Sequence, residues 1–424
     1  MTKHNEHKNI PELRFPEFKD DGEWEEKTLG EVAERIEEKV NGKKLTTASI
    51  SAGTGFVSQA EKFSRDISGA QYKNYIVLNE GEFSYNKGNS KRFPQGCIYK
   101  LKEFKQVAVP NAFISFRFKP NFVGDFFQGY FDNNYHGIQL MQFITSGARM
   151  DGLLNIKADE FFSVVLPAPS ESEQQKIAEI LLSLNEMITA NTEKLEVLKD
   201  YKKGLMQVLF PQEGEKVPKF RFPEIKDYGE WEEKPLKEVF SIFQGFAFSS
   251  DDSVSSGARW LKIADVGVQQ MKDDVPSYLP QIYIEKFRKF TVKKGDYVLA
   301  LTRPILNMRL KLAQVDDKFH DALLNQRVGK IVTSNNSSFV YYLLQMSKMV
   351  ETINKNIAGK EPPNLSFLQI EDIKVFLPSE INEQQRIAET LSSLDELIVA
   401  QSDKIEQLKI HKKGLMQKLF PAIK

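Results

Sequence analysis

The chain has 424 residues, 41% hydrophobic and 27% charged, with 58 basic residues against 58 acidic ones. That length suits two or three domains with ample core, and the composition is that of a folded soluble protein rather than a disordered one; no apolar run approaches the roughly 20 residues a bilayer-crossing helix needs. Zero net charge excludes a global cationic field, so any nucleic-acid surface must be local, and the single cysteine, Cys97, excludes an internal disulfide framework and fits a reducing cytoplasm.

The polar start, MTKHNEHKNIPEL, has no apolar signal region. From residue 10 to 32 the chain reads IPELRFPEFKDDGEWEEKTLGEV, and residues 217 to 239 repeat it as VPKFRFPEIKDYGEWEEKPLKEV. In both copies Arg-Phe-Pro predicts extended chain, because the residue before proline is pushed out of the helical region. Gly22-Glu23-Trp24 and Gly229-Glu230-Trp231 predict a turn followed by an apolar anchor at the base of a globular head.

The two heads, about 35 to 165 and 242 to 376, share little sequence but keep one skeleton. Each begins a β-type run after a Gly-acid turn, at Gly81-Glu82-Phe83 and Gly295-Asp296-Tyr297. A short strand follows near Asn111 to Phe118 and near Asn325 to Val332, then an aromatic-rich helix (FFQGYF; FVYYLLQMSKM), a glycine loop, and a strand ending in Leu-Pro at 166 to 167 and 377 to 378. Each head therefore reads as a compact α/β (α+β) domain of predominantly β character.

After each head comes a long helix written twice. SEQQKIAEILLSLNEMITANTEKLEVLKDYKKGLMQVLFP, from Ser172, returns as NEQQRIAETLSSLDELIVAQSDKIEQLKIHKKGLMQKLFP, from Asn382. Ile177, Leu181, Leu184, Ile188, Leu195, Leu198, Leu205 and Leu209 alternate steps of four and three once Asn191 and Lys202 are included, which is a heptad seam. Ile387, Leu391, Leu394, Ile398, Ile405, Leu408, Leu415 and Leu419 keep the same frame, with Gln401 and Lys412 at the polar steps. Ser172 and Asn382 are predicted N-caps, each with a glutamine three residues on as a capping box. Lys202-Lys203-Gly204 and Lys412-Lys413-Gly414 offer a cationic last turn and a glycine stop, although the apolar frame also allows both helices to run on to the Phe-Pro pair. At about 1.5 Å per residue such a rod is roughly 45 to 55 Å long.

The pattern divides the chain into a first head (1–168), a first long helix (169–211), a second head (212–378) and a second long helix (379–424). Only about ten linker residues, reaching roughly 35 Å, separate the first helix from the second head, so the second helix is expected to return antiparallel to the first. The result is a pseudo-two-fold tandem repeat.

Catalytic signatures are absent: no phosphate loop, no GxGxxG after a strand, no HExxH and no CxxC. The five histidines, His4, His7, His136, His320 and His411, show no metal-ligand spacing, so neither a catalytic nor a metal site is assigned. Glu37-Glu38-Lys39 imitates part of a metal-nuclease site but reads as a solvated helix face. Basic residues gather instead in loops at one skeletal position. In the first head the Gly-acid strand leads into Tyr85, Asn86, Lys87, Ser90, Lys91 and Arg92; in the second it leads into Thr302, Arg303, Asn307, Arg309 and Lys311. Arg suits a guanine edge, Asn an adenine edge, and Lys, Ser and Thr suit phosphates, so these loops are candidate DNA contacts, with Arg149 and Lys360 of the glycine loops. Phe246 and Phe248 read as core rather than base-stacking rings.

The tandem layout, the Glu-Gln-Gln-[Lys/Arg]-Ile-Ala helix starts, the Lys-Lys-Gly-Leu-Met-Gln helix ends, and the Phe-Pro-Glu and Gly-Glu-Trp elements together resemble the specificity subunit of type I restriction-modification systems. The resemblance covers essentially the whole chain and implies a non-catalytic, DNA-reading subunit whose two heads are target recognition domains, each reading half of a split site on double-stranded DNA. It further implies that the paired helices dock two methyltransferase subunits, that those partners rather than this chain hold S-adenosylmethionine and modify adenine, and that restriction subunits join the full complex. Unlike reading loops predict two unlike half-sites about one turn of B-DNA, about 34 Å, apart. Two rival readings stand beside this one. A coiled-coil adaptor accounts for the helices but not for two heads with divergent basic loops, and a stand-alone enzyme would need a cofactor motif.

Overall fold

A computed structural model describes residues 9–88, 93–144, 154–357 and 362–421. The chain forms two compact units, one drawn from Met1–Thr192 with Asp403–Lys424 and the other from Glu193–Ser402.

In the first unit, strand β1 (Glu25–Thr28) leads into β2 (Ala33–Arg35). After an excursion come β3 (Phe83–Asn86), β4 (Cys97–Lys100) and β5 (Ile114–Phe118), then helix α1 (Gly124–Asp132), β6 (Val165–Ala168) and the long helix α2 (Glu171–Leu209). The four-stranded sheet has the order β2-β5-β3-β4, all antiparallel, and β1 pairs with β6. The excursion makes a second small core from the pairs Ala48–Ser51 with Gly55–Ser58 and Ile76–Asn79 with Gln106–Val109, in which Ile50, Leu78 and Val107 are fully buried.

The second unit repeats this plan. Strands β7 (Glu232–Pro235), β8 (Ser241–Gln244), β9 (Tyr297–Ala300), β10 (Leu312–Gln314) and β11 (Val328–Val332) precede helix α3 (Ser337–Gln345), β12 (Lys374–Leu377) and the second long helix α4 (Ile381–Leu419). Its sheet order is β8-β11-β9-β10, again antiparallel, and β7 pairs with β12. The four-stranded sheet and the two-stranded pair therefore match strand for strand, whereas the excursion differs: the second unit sets Ala258–Leu261 between Tyr278–Leu279 and a parallel Leu323–Leu324 where the first has two antiparallel pairs. Both Gly-acid turns deliver an inner strand of the sheet, β3 or β9, where a run with little polar character can be buried on both faces.

Each long helix spans 39 residues, or about 58 Å. Both continue through Gly204 and Gly414 to the Phe-Pro pair, so the glycine stop is not used. The reason is tertiary: Leu209 and Phe210 are buried in the second unit's core, and Leu419 and Phe420 in the first unit's. Within the first unit the start of α2 (Ile177, Ala178, Leu181) shares a core with the end of α4 (Leu415, Met416, Leu419). Within the second, the end of α2 (Leu205, Met206, Leu209) shares one with the start of α4 (Ile387, Ala388, Leu391). The helices are antiparallel, as the short linker requires. Head boundaries at 168 and 378 are thus not core boundaries, because each core includes one helix start and one helix end.

The seam positions are the sheltered ones along both helices: Ile177, Leu181, Leu195, Ile387, Leu391, Leu394, Gln401 and Ile405 are buried and Leu184, Ile188, Asn191, Leu198, Ile398 and Leu408 half-buried. Among the described residues no helix is long and apolar enough to cross a membrane, and no group of His, Cys, Asp and Glu could hold a metal ion. Glu37, Glu38 and Lys39 are exposed as expected, but on extended chain that ends in a single β-bridge from Lys39 to Ile76 rather than on a helix.

Candidate nucleic-acid interface

At the base of each head the twice-written motifs meet in one buried cluster. In the first unit Glu173, 1% exposed, receives Arg14 Nε at 2.8 Å, Arg14 Nη2 at 2.7 Å and Trp24 Nε1 at 3.2 Å. In the second, Glu383 receives Arg221 Nε at 2.9 Å, Arg221 Nη2 at 3.2 Å and Trp231 Nε1 at 3.0 Å. Both guanidinium groups also donate to the turn carbonyls, Gly22 in one copy and Tyr228 and Gly229 in the other. The next residue completes the joint: Gln174 Oε1 accepts the Val123 N–H, and Gln384 Oε1 the Asn336 N–H, at the starts of α1 and α3. Arg-Phe-Pro, Gly-Glu-Trp and Glu-Gln-Gln recur because together they fasten a head to the start of its helix. A bidentate arginine and an indole N–H satisfy the buried carboxylate, as burial demands.

This geometry corrects the predicted caps. Helix α2 begins at Glu171 and α4 at Ile381, so Ser172 and Asn382 lie inside them. Ser170 Oγ accepts the Glu173 N–H instead, and the glutamines expected to close a capping box, Gln175 and Gln385, reach Glu179 and Glu389 one turn along their own helices. Lys202 likewise belongs to no last turn: it pairs with Asp395 of α4 at 2.6 Å, over the Tyr342 ring, while Lys412 sits 3.7 Å from Asp132 of α1.

At their C-terminal ends the helices are tied to the entry segments. Leu13 N–H donates to Lys418 O, and Phe220 N–H to Val208 O, both at 2.9 Å. Phe420 lies over Gly129, where a Cβ would come within 2.3 Å of its ring, and the Tyr135 hydroxyl donates to Pro421 O.

The loops expected to contact DNA leave the ends of β3 and β9. Tyr85 does not belong among the contacts: it is fully buried, stacks on Phe161 at 4.7 Å and donates to Gln95 O at 2.6 Å, and burial pushes its hydroxyl pKa well up. An aromatic at the end of an inner strand serves the core first. Asn86 is half-buried, with Oδ1 accepting the Gly88 N–H at 2.9 Å, and Lys87 Nζ lies 3.4 Å from Ile156 O. Ser90, Lys91, Arg92, Arg149 and Lys360 lie outside the described residues.

In the second head Thr302 Oγ1 donates to Asn364 Oδ1 at 2.7 Å, and Arg303, exposed with φ +47°, donates its N–H to Pro363 O. A hairpin follows, Ile305–Leu306 against Arg309–Leu310, joined by Asn307 (φ +49°) and Met308 (φ +56°). Two positive φ angles define the type I′ turn that asparagine tolerates, so Asn307 has a structural reason to be there as well as an exposed side chain. Arg309 is exposed, with Nη2 3.1 Å from Gln269 Oε1. Lys311 is a correction of the other kind: its Nζ reaches inward to Ile263 O at 3.1 Å, and burial, with Lys272 nearby, lowers its pKa. Phe248 is core, and Phe246 packs on Phe248, Phe287 and Phe290 with its outer edge exposed.

The structure thus leaves Arg303 and, on the hairpin that follows it, Asn307 and Arg309 exposed, and withdraws Tyr85 and Lys311. Sequence reasoning overlooked Arg14, Glu173, Arg221 and Glu383 as a joint, though their recurrence in both copies was the available signal.

Residues 21–200 and 228–409 match the family described as the Type I restriction modification DNA specificity domain, once per head and helix. The chain is 31% identical over 291 residues to the type I restriction enzyme MjaVIII specificity subunit of Methanocaldococcus jannaschii, covering 68% of each protein. It is 32% identical over 212 residues to the type I restriction enzyme EcoAI specificity subunit of Escherichia coli, covering 49% of this chain and 34% of that one. The crystal structure of the type I restriction-modification S subunit from M. genitalium superposes with a TM-score of 0.60 over 98% of this chain and 100% of that one, at 13% identity, a likeness of fold.

Proposed function

The chain belongs to the type I restriction modification DNA specificity family, whose part is DNA recognition, and from that premise we propose how the task is divided along it. The observation that carries the reading is the contrast within the repeat. Sheet order, the Arg-Glu-Trp joint and the helix seam are the same in both units, whereas the loops leaving β3 and β9 are not. Shared parts do a shared job, holding each head on the helix pair. Unlike loops do unlike jobs, so each head reads its own half of a bipartite, non-palindromic site on double-stranded DNA, the halves lying about one turn apart.

The chain itself carries no chemistry. Two methyltransferase subunits dock on the helix pair, hold S-adenosylmethionine and methylate adenine, and restriction subunits complete the assembly in the cytoplasm. Zero net charge gives the chain alone little counterion-release energy, so tight binding to DNA requires the partners' phosphate contacts.

The test is to co-express the chain with its methyltransferase partner and map methylated adenines by sequencing. A two-part motif with unlike halves is expected, and Arg303→Ala should relax one half by roughly 1 to 3 kcal/mol per lost bidentate contact while leaving the other intact. A continuous or palindromic motif, or methyl transfer by the chain alone, would overturn the reading.

A further inference from the structure

Each unit opens a polar cleft at the same corner of its sheet. In the first, a cleft of about 200 Å³ forms where the end of β2 (Arg35), the residue after β3 (Lys87), the turn before β5 (Asn111) and the segment entering the helix Ala158–Phe162 (Asn155, Lys157) converge. In the second, a larger cleft of about 800 Å³ is bounded by the same four segments: Gln244 of β8, Thr302 after β9, Gln326 and Arg327 before β11, and Asn364 ahead of the 3-10 turn Phe367–Gln369. One backbone hydrogen bond braces both in the same way, Leu154 N–H to Lys87 O at 2.9 Å and Leu365 N–H to Leu301 O at 2.7 Å.

Two heads of unlike sequence have no packing reason to place amides and cations at one corner, since polar side chains add nothing to a core. The second cleft is also the more clearly open. Gln244, Gln326, Arg327 and Asn364 are exposed, and among the described residues neither the Gln326 amide nor the Arg327 guanidinium has a partner. Its neighbours are already oriented, Gln244 Nε2 donating to Gln326 O and Asn364 Oδ1 accepting from Thr302, both at 2.7 Å. The non-glycine left-handed residue Arg303 stands at its rim, a conformation that the bond to Pro363 O sustains.

Resting on the DNA-recognition reading above, we propose that these paired clefts are base-reading sites and that they take different bases. The amide-rich cleft of the second unit fits an adenine edge: a Gln326 amide can donate to N7 and accept from the N6 amino group, leaving Arg327 for a phosphate. The first cleft carries Arg35, Lys87 and Lys157 and fits the two acceptors of a guanine edge, O6 and N7, with the exposed Lys157 as reader; Arg35 is partly engaged by Glu37 at 3.0 Å.

The experiment uses the full chain in complex with its methyltransferase subunits and reads the methylated motif of wild type, Gln326→Ala, Gln326→Arg and Lys157→Ala. Both residues are exposed, and thermal melting of each variant verifies the fold. Gln326→Ala should lower discrimination at one adenine position of one half-site by roughly ten- to a hundred-fold, and Gln326→Arg should shift that position toward guanine. Lys157→Ala should relax a guanine position in the other half alone. If wild type shows a two-part motif and the variants keep it unchanged, or Gln326 and Lys157 disturb the same half, the cleft assignment is wrong while DNA recognition stands. A wild-type complex without a two-part motif overturns both.

Discussion

Replacing Glu173 by alanine should unfasten the first head from its helix, and the size of the effect follows from what the carboxylate holds. Arg14 and Glu173 side chains are 7% and 1% exposed, and the carboxylate accepts three hydrogen bonds, two from the guanidinium and one from the Trp24 indole. Without it the buried guanidinium retains the Gly22 carbonyl and the indole N–H has no acceptor. Breaking a buried ion pair from one side costs about 3 to 5 kcal/mol, of which stranded donors are a large part. Arg14→Met with Glu173→Leu removes both charges at once and should cost less than the single change, because no unpaired charge stays buried; what remains, about 1 to 3 kcal/mol, is the Trp24 indole N–H left without its acceptor. Two units of this kind need not unfold together, so a single melting midpoint is a poor measure. Native-state hydrogen exchange resolves them: amides of Trp24, Val123 and Gln174 should lose protection in Glu173→Ala, those around Trp231 and Asn336 should not, and Glu383→Ala should reverse the pattern. Exchange free energies within about 1 kcal/mol of wild type for Glu173→Ala, or a double variant as damaged as the single one, would refute the account.

Gly129→Ala should destabilise the first unit by about 1 to 3 kcal/mol, since the new Cβ would meet the Phe420 ring at 2.3 Å; loss of protection at Leu419 and Phe420 would register it, and an unshifted unfolding curve would count against it. Leu195→Asp and Ile405→Asp each bury a carboxylate in the helix seam, at positions 8% and 5% exposed, and should each cost at least about 3 kcal/mol; unchanged melting in both would contradict the seam. His136 is buried among Tyr85 and Phe131, and desolvation lowers its pKa to about 4 from an ordinary 6.5. Because the folded state disfavours the proton, this contribution is complete above about pH 6.5 and is lost as pH falls toward 4, about 3 kcal/mol in all. The acid-side loss of stability between those values should shrink by that amount in His136→Leu, and equal pH profiles would exclude the effect.

What the sequence determined by itself was whatever repeats or alternates locally. The heptad seams, the tandem architecture, the strands after both Gly-acid turns and the strands ending in Leu-Pro could all be read, because hydrophobic periodicity reports which side of an element faces a core. The antiparallel return of α4 was legible too, since a short linker leaves a long helix few routes. Tertiary structure decided the rest, wherever a side chain's fate depends on residues far away in the chain. Glu173 was legible only as part of a repeated helix start, and its role appears once Arg14, 159 positions earlier, is folded against it. Tyr85 and Lys311 looked like loop contacts until the core took one and a backbone carbonyl the other. The helix ends stayed open in the sequence, between Gly204 and Gly414 on the one hand and the Phe-Pro pairs on the other, and the buried Leu-Phe pairs decided for the longer helices. Both clefts arise where four distant segments converge on one sheet corner, and no local spacing marks such a place; long-range packing chooses which polar groups stay in reach of a ligand.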